Sequence, residues 1–452
     1  MLLRLRALLA LALASALASA ATLTPPRRLR YGIVGTGCIG LEHIRNLHLV
    51  DEAELVAIAD PHAPSIEAAR AVLSELSIDE AGVAICAGYE ELLALPQVDA
   101  VVVCTPNDHH IHVLRAALPT GKHCLVEKPL CTEVAHCAEV EALAADAVAA
   151  AAAAGRPPPV LWCGMEYRYI PSIARLVGEA DAGACGALKM LSVREHRFPF
   201  LRKVDNWNRF SARTGGTLVE KCCHFFDLMR RIMHDEPKRI VASGGQDVNH
   251  LGETHSTQSK PSATPDILDN AYVVVEWQSG ARSLLELCMF AEASKHQEEL
   301  SLVGTHGKLE AFAPAHGQRT DDPSVINFRR HTRNAAFVDD FDRVEPPAPE
   351  ECGSSEEAHI GVAAELLQAG NHAGATHEEL RRFTDAALDG RPPDVTLSDG
   401  TKAVLMGLAA HRSIDEGRPV LWDEMLAEVA AARGPVAVEE VPVVAPAAAA
   451  AP

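Results

Sequence analysis

YGIVGTGCIG, residues 31–40, joins a short apolar run to glycines spaced G-x-G-x-x-G. This pattern is expected to be a strand that ends in a tight turn and reopens as a helix. Gly35 permits the turn, Gly37 leaves room for a pyrophosphate against the backbone, and Gly40 lets helix and strand pack closely. Thr36, Cys38 and Ile39 complete the loop. The unpaired N–H groups at a helix start, together with its dipole, suit phosphate. The next apolar run, LVAIADP, ends at Asp60, an acid placed to bind ribose hydroxyls and to repel a 2′-phosphate; Pro61 and His62 follow it, with no arginine. The expected cofactor is therefore NAD, in preference to NADP.

Outward from this loop, VDAVVVCTPN and HCLVEKP read as further strands separated by helical segments, which implies parallel pairing in a sheet covered on both faces. Residues 30–166 are expected to form a Rossmann dinucleotide-binding domain that closes with the strand PVLWCGMEYRY. From 167 to 428 longer alternating strands are joined by turns such as Gln278-Ser279-Gly280, as in an open, mainly antiparallel sheet. The fold class is thus α/β, in two domains, for which 452 residues suffice. A formal charge of -20 disfavours nucleic acid as a partner. No apolar run in the body is long enough to span a bilayer.

The termini differ in composition. Arg4 and Arg6 precede a Leu/Ala segment and Ala18-Ser19-Ala20, the layout of an export signal over residues 1–20; an organellar presequence is the alternative. The predicted mature protein is soluble, in the secretory pathway or an organelle. Residues 434–452 form a Pro/Ala-rich tail expected to be disordered. The 12 cysteines are scattered, several in apolar runs, and read as packing residues. The loops at 245–269 and 311–358 carry no legible motif.

GGTLVEKCCHFFDLM, residues 215–229, crowds acids, a lysine, two cysteines and a histidine together. An unbroken helix would put Glu220, His224 and Asp227 on one face, with Cys222 and Cys223 elsewhere and Lys221 facing solvent. A neutral histidine suits a base for a hydroxyl proton, and Glu220 beside it would orient the ring. A zinc site would need a third ligand, and no second cluster at ligand spacing exists, so no metal is expected. Adjacent cysteines are poor disulfide partners. Upstream, Arg197, Lys203, Trp207, Asn208 and Arg209 are candidates to bind a polar substrate; internal ion pairs are the competing reading for the arginines.

Thr105-Pro106-Asn107, then His110, then Gly121-Lys122-His123 and Glu127-Lys128-Pro129, all after the glycine loop, resemble the Gfo/Idh/MocA oxidoreductase family, as do the closing patterns at Asp399–Ala403 and Ser413–Val420. The resemblance covers roughly residues 30 to 425. It implies a site between a Rossmann domain and an α/β domain whose open sheet forms a homodimer or homotetramer interface. It implies that Thr105, Pro106 and Asn107 line the dinucleotide, with His110, Glu127 and Arg168 nearby. It implies that Lys128, preceding a cis proline, sits beside nicotinamide and substrate. The family's G-G-G-x-x-x-D-x-x-x-H pattern falls on Gly215 to His224, with Glu220 in the place of aspartate, so Lys128, Glu220 and His224 are the implied catalytic set. The expected activity is NAD-dependent oxidation of a CH–OH group on a polyol, inositol or sugar. A non-catalytic NAD(H)-binding regulator, and an enzyme that recycles tightly held NAD, remain alternatives.

Overall fold

The computed structural model describes residues 27–255, 262–314, 326–334 and 348–433. The predicted signal segment and tail, and parts of both unread loops, lie outside the described residues. Six short apolar runs form the first sheet: β1 (Leu29–Val34), β2 (Ala53–Ala59), β3 (Ala84–Cys86), β4 (Ala100–Val103), β5 (His123–Glu127) and β6 (Leu161–Gly164). They lie in the order β3-β2-β1-β4-β5-β6, every pair parallel. β4 and β6 are buried along their whole length, because helices cover both faces. Strand order reverses between β1 and β4, and in such sheets ligands bind outside the carboxyl ends at that point.

The second sheet has nine strands among the described residues. β7 (Leu188–His196), β8 (Pro237–Gly245), β9 (Asn270–Trp277), β10 (Arg282–Cys288), β11 (His296–Gly304), β12 (Gly307–Pro314), β13 (Phe328–Arg333), β14 (Gly353–Ala358) and β15 (Val420–Leu421) are arranged β14-β13-β12-β11-β7-β10-β9-β8-β15. Neighbours are antiparallel except β7 and β10, which run parallel at the centre. The chain leaves β7 through helices and the β8–β9 pair before it returns as β10, so that one contact is a crossover rather than a hairpin. In β9 and β10 every second residue is buried; the other face leaves Met190, Tyr272, Val241 and Val274 exposed.

The helix Ala375–Asp389 does not stay with the second sheet. Phe383 packs against Tyr31 and Trp162, the Thr384 hydroxyl bonds the Tyr31 hydroxyl at 2.6 Å, and Glu379 accepts from the Trp162 indole at 3.0 Å. The stretch expected to be a second unit therefore sends one helix back to cover the first sheet, and the two halves share a core. Among the described residues no helix is long and apolar enough to cross a membrane.

Candidate active site

The glycine loop leaves β1 and enters the helix Cys38–Leu47. Asp60, at the tip of β2, accepts from the Thr36 N–H at 2.8 Å and its hydroxyl at 3.2 Å, and from the His62 N–H at 2.8 Å. This fastens the loop to the acid expected at the ribose. Whether a dinucleotide fits can be judged at Gly37. No side chain caps the helix there, and a Cβ on Gly37 would meet nothing within 4 Å. The helix start thus faces open space with free N–H groups, as a bound pyrophosphate requires. Cys38 is exposed beside this space, Ile39 packs partly against the core, and the buried Thr105 hydroxyl has no partner among the described residues. These residues fit the group.

His110 lies with one ring nitrogen 2.8 Å from the Pro129 carbonyl and the other 3.0 Å from that of Thr105. It braces the two loops behind Pro106 and Asn107, and burial lowers its pKa. Glu127, ending β5, is held by His43 at 2.6 Å. The peptide bond between Lys128 and Pro129 is cis, and the Lys128 ammonium donates to the Glu220 carbonyl at 3.2 Å. Burial opposes the Lys128 charge, but Glu220, Cys223 and Glu166 outweigh it and raise its pKa above the usual lysine value. The Glu220 carboxylate accepts a short hydrogen bond from the Asn107 amide and lies 3.7 Å from Lys203. Burial works against its charge too; Lys203, Lys128 and Asn107 hold its pKa below the usual value. The first domain and the helix Thr217–Glu220 of the second are thus stitched together at Asn107, Lys128 and Glu220.

His224 is buried, 2% exposed, its ring stacked on Tyr167 at 4.1 Å and 7°. Its Nε2 lies 3.5 Å from Glu166 Oε1, and its Nδ1 has no hydrogen-bond partner among the described residues. Burial, then Lys128 and Lys221, push its pKa well below the ordinary histidine value, so the ring is neutral. The expected pairing of Glu220 with His224 is not found. The helix is broken: Thr217–Glu220 ends, Cys222 caps, and Cys223–Met233 begins anew. The side chains fan out, Glu220 to Asn107, His224 to Glu166, and Asp227 to Arg168.

Lys221 does not face solvent. It is buried, 2.9 Å from Glu195 and 2.5 Å from the Tyr167 hydroxyl, because β7 brings an acid beneath the helix break. Arg168 grips Asp227 with two nitrogens at 2.5 and 2.6 Å and the Asp394 carbonyl with the third at 2.9 Å. All three face protein acceptors, so the structure makes it a link between elements rather than a free donor toward the dinucleotide. Arg197 covers Phe198 and lies 3.4 Å from Glu195, the internal pairing that competed with substrate binding. Trp207 is buried under Lys203, 4.7 Å from its ring centre. Asn208 donates to the Leu201 carbonyl and Arg209 to that of Phe200, while Asn208 Oδ1 and Arg209 Nη1 are buried without partners among the described residues. The twelve cysteines are free, and no cluster of metal-binding side chains occurs among the described residues.

Sequence reasoning singled out neither Glu166 nor His372. Glu166 lies two positions before Arg168, in the stretch where the family resemblance rests on the arginine; His372 lies in a polar connection with no periodic signal.

Residues 29–152 match the oxidoreductase family with an NAD-binding Rossmann fold, and residues 181–421 match that family's C-terminal α/β domain. Myo-inositol 2-dehydrogenase of Thermotoga maritima is 24% identical over 402 residues, 88% of this chain and 100% of that protein. Inositol 2-dehydrogenase of Rhizobium meliloti is 27% identical over 306 residues, 68% of this chain and 81% of that protein. The structure of a levoglucosan dehydrogenase in complex with NADH and L-sorbose superposes with a TM-score of 0.66 at 17% identity, over 87% of this chain and 99% of that one. With both halves matched in order, the chain belongs to the Gfo/Idh/MocA family of oxidoreductases, whose first domain is an NAD-binding Rossmann fold.

Proposed function

We propose that the chain moves a hydride between nicotinamide and a secondary alcohol or carbonyl carbon of a polyol, inositol or sugar-like substrate. One observation carries the reading: a buried, neutral His224 with an unpartnered Nδ1 lies under the field of the Lys128 ammonium, where the phosphate-binding half meets the second sheet. When bound, the nicotinamide supplies the hydride acceptor or donor. Gly35, Gly37 and Gly40 with Thr36, Cys38, Ile39, Asp60, Thr105, Pro106 and Asn107 would hold the dinucleotide. His224 Nδ1 takes the hydroxyl proton as the carbon loses hydride, and returns it in the reverse direction. Lys128 steadies negative charge on the substrate oxygen. Glu220, fixed by Asn107, keeps Lys128 in place and charged. Asn208 Oδ1 and Arg209 Nη1, buried and unpartnered, are donors and acceptors of the kind that hold substrate hydroxyls.

Purified protein should form NADH from at least one member of a panel of inositols, aldoses, sugar acids and polyols. No turnover, with cofactor carried through purification, would favour recycling of bound NAD instead. The Asp60 carboxylate favours NAD over NADP. An Asp60→Ser variant is expected to weaken NADH binding about tenfold while improving NADPH relative to NADH, read by fluorescence titration. Tighter NADPH than NADH binding by the unchanged protein would overturn the preference. The open sheet face with Met190 and Tyr272 suits pairing into a homodimer or homotetramer.

A further inference from the structure

A base must lose the proton it collects, and His224 has little contact with water to do so: it is 2% exposed, with Tyr167 over one face. Three side chains lead away from it. His224 Nε2 is 3.5 Å from Glu166 Oε1; the same oxygen is 3.7 Å from His372 Nε2; and His372 Nδ1 is 2.6 Å from Glu42 Oε1. Glu166 is 2% exposed and its Oε2 has no partner among the described residues, whereas 27% of the His372 side chain is accessible. The row thus runs from the buried base to solvent. Glu42, held also by the Thr376 hydroxyl at 2.8 Å and the Asn371 N–H at 3.3 Å, anchors its outer end.

We propose that Glu166 and His372 form a proton relay that carries the substrate proton from His224 to solvent, and back during reduction. The proposal rests on the reading of His224 as the base. As Nδ1 binds the substrate proton, the 3.5 Å gap between Nε2 and Glu166 Oε1 closes to hydrogen-bond length and Nε2 gives its own proton to the carboxylate; the 3.7 Å gap to His372 closes likewise in its turn. The Glu166 charge facing His372 is then gone, and His372 releases its Nε2 proton to water, its Nδ1 staying on Glu42. Glu166 hands its proton to His372 Nε2, so one proton has entered and one has left and these two groups are reset. His224 is left with its hydrogen on Nδ1, and its ring turns over, or the reverse reaction takes that proton back, before Nδ1 accepts again. The titration of both groups suits this. Burial raises the Glu166 pKa to about 7, with Glu127 adding to it and His372 and Lys128 opposing. Burial lowers that of His372, but Glu42 and then Glu166 overcome it, with Lys221 opposing, and bring it to about 9. Around His224 stand Lys128, Lys221, His372 and Arg197, all disfavouring a lasting positive charge on the base. Glu379 is a further buried acid facing Glu166.

Glu166 and His372 are positioning residues in this scheme, since they act through His224, and the test is chosen accordingly. On a substrate turned over by the panel, kcat should rise with pH through about 7 as Glu166 ionises. Glu166→Gln should remove that step and lower kcat on the order of 10- to 100-fold, within the range of general acid–base effects, with KM and NADH affinity within about twofold. His372→Ala, which opens a space toward solvent, should lose kcat similarly and regain it with added imidazole. A second readout needs no substrate: with 15N-histidine labelling of the full chain, the His372 resonance, identified by its loss in His372→Ala, should titrate at lower pH in Glu166→Gln. An unchanged His372 titration, a kcat–pH profile that superimposes on the unmodified enzyme, or loss of kcat together with thermal stability and no rescue by imidazole, would each overturn the relay. Activity retained by His224→Ala would instead remove the reading of the base; an inactive His224→Ala beside a normal Glu166→Gln would remove the relay alone.

Discussion

Gly40→Ala is expected to destabilise the protein and abolish useful NADH binding together. A Cβ on Gly40 would lie 2.1 Å from the Gly35 carbonyl oxygen, a backbone atom that no side-chain rotation can move aside. Gly35 has little freedom of its own. Its φ is +93°, and its missing Cβ would fall 2.6 Å from the Cys104 carbonyl at the end of β4. The added methyl must therefore push the Cys38–Leu47 helix off the sheet. Overpacking of this kind costs about 1–3 kcal/mol or more, which lowers Tm by several degrees in a chain this size. The same movement turns the helix N–H groups away from where phosphates would sit, so NADH affinity should fall by more than tenfold. Gly37→Ala separates the two effects. Gly37 has φ -72° and ψ -164°, which alanine adopts readily, and its Cβ would meet no protein atom within 4 Å. Its Tm should stay within about a degree of the unmodified protein while NADH affinity falls, because only the ligand loses the space. Wild-type NADH affinity in Gly37→Ala would show that no dinucleotide lies over the loop.

That loop was legible because its requirements are local. A strand, three glycines, a helix start and an acid twenty residues on are all fixed by neighbours in the chain, and the structure sets that acid, Asp60, against Thr36 of the loop. The parallel sheet was legible for the same reason: its strands are continuous apolar runs between helices. The reading of 215–229 failed where it treated a spacing as a geometry. Helical periodicity holds only while the helix does, and the break before Cys223 turned three supposed neighbours toward three different partners. Lys221 was placed outside because a lone lysine in a helix usually is. What buries it is Glu195, 26 positions earlier on β7, and no local pattern announces such a pairing. His372 is further still from its partners in sequence: it meets Glu42 and Glu166 only because the helix after it crosses back over the first sheet.

His224→Ala should lower kcat by about 10²- to 10⁴-fold with NADH affinity unchanged, the usual span for loss of a positioned base. The size of the effect follows from the surroundings of the ring. Burial, Lys128 and Lys221 keep it neutral well below the ordinary histidine pKa, so in the unmodified enzyme it is available as a base throughout the neutral range. The sign is fixed: the competent form is the unprotonated one, and protonation could only stop it at pH values well under 6.5. Lys128, whose pKa is raised, stays charged beyond the ordinary lysine range, so neither member of the pair limits the rate between mildly acidic and mildly alkaline pH. Glu166, 3.5 Å away, lies on the Nε2 side of the ring, away from the Nδ1 assigned to the substrate. Glu220 is committed to Asn107, and the two cysteines beside His224 are thiols whose pKa values burial raises. Alanine also removes the stack on Tyr167 at 4.1 Å, so this variant alone does not separate loss of the base from a shift of the Tyr167 ring. His224→Phe answers this, because it keeps a flat ring against Tyr167 and has no nitrogen to accept a proton. Both variants should bind NADH and melt near the unmodified protein, and both should be slow. A His224→Phe enzyme that kept more than about a tenth of kcat would show that the proton leaves the substrate by another route.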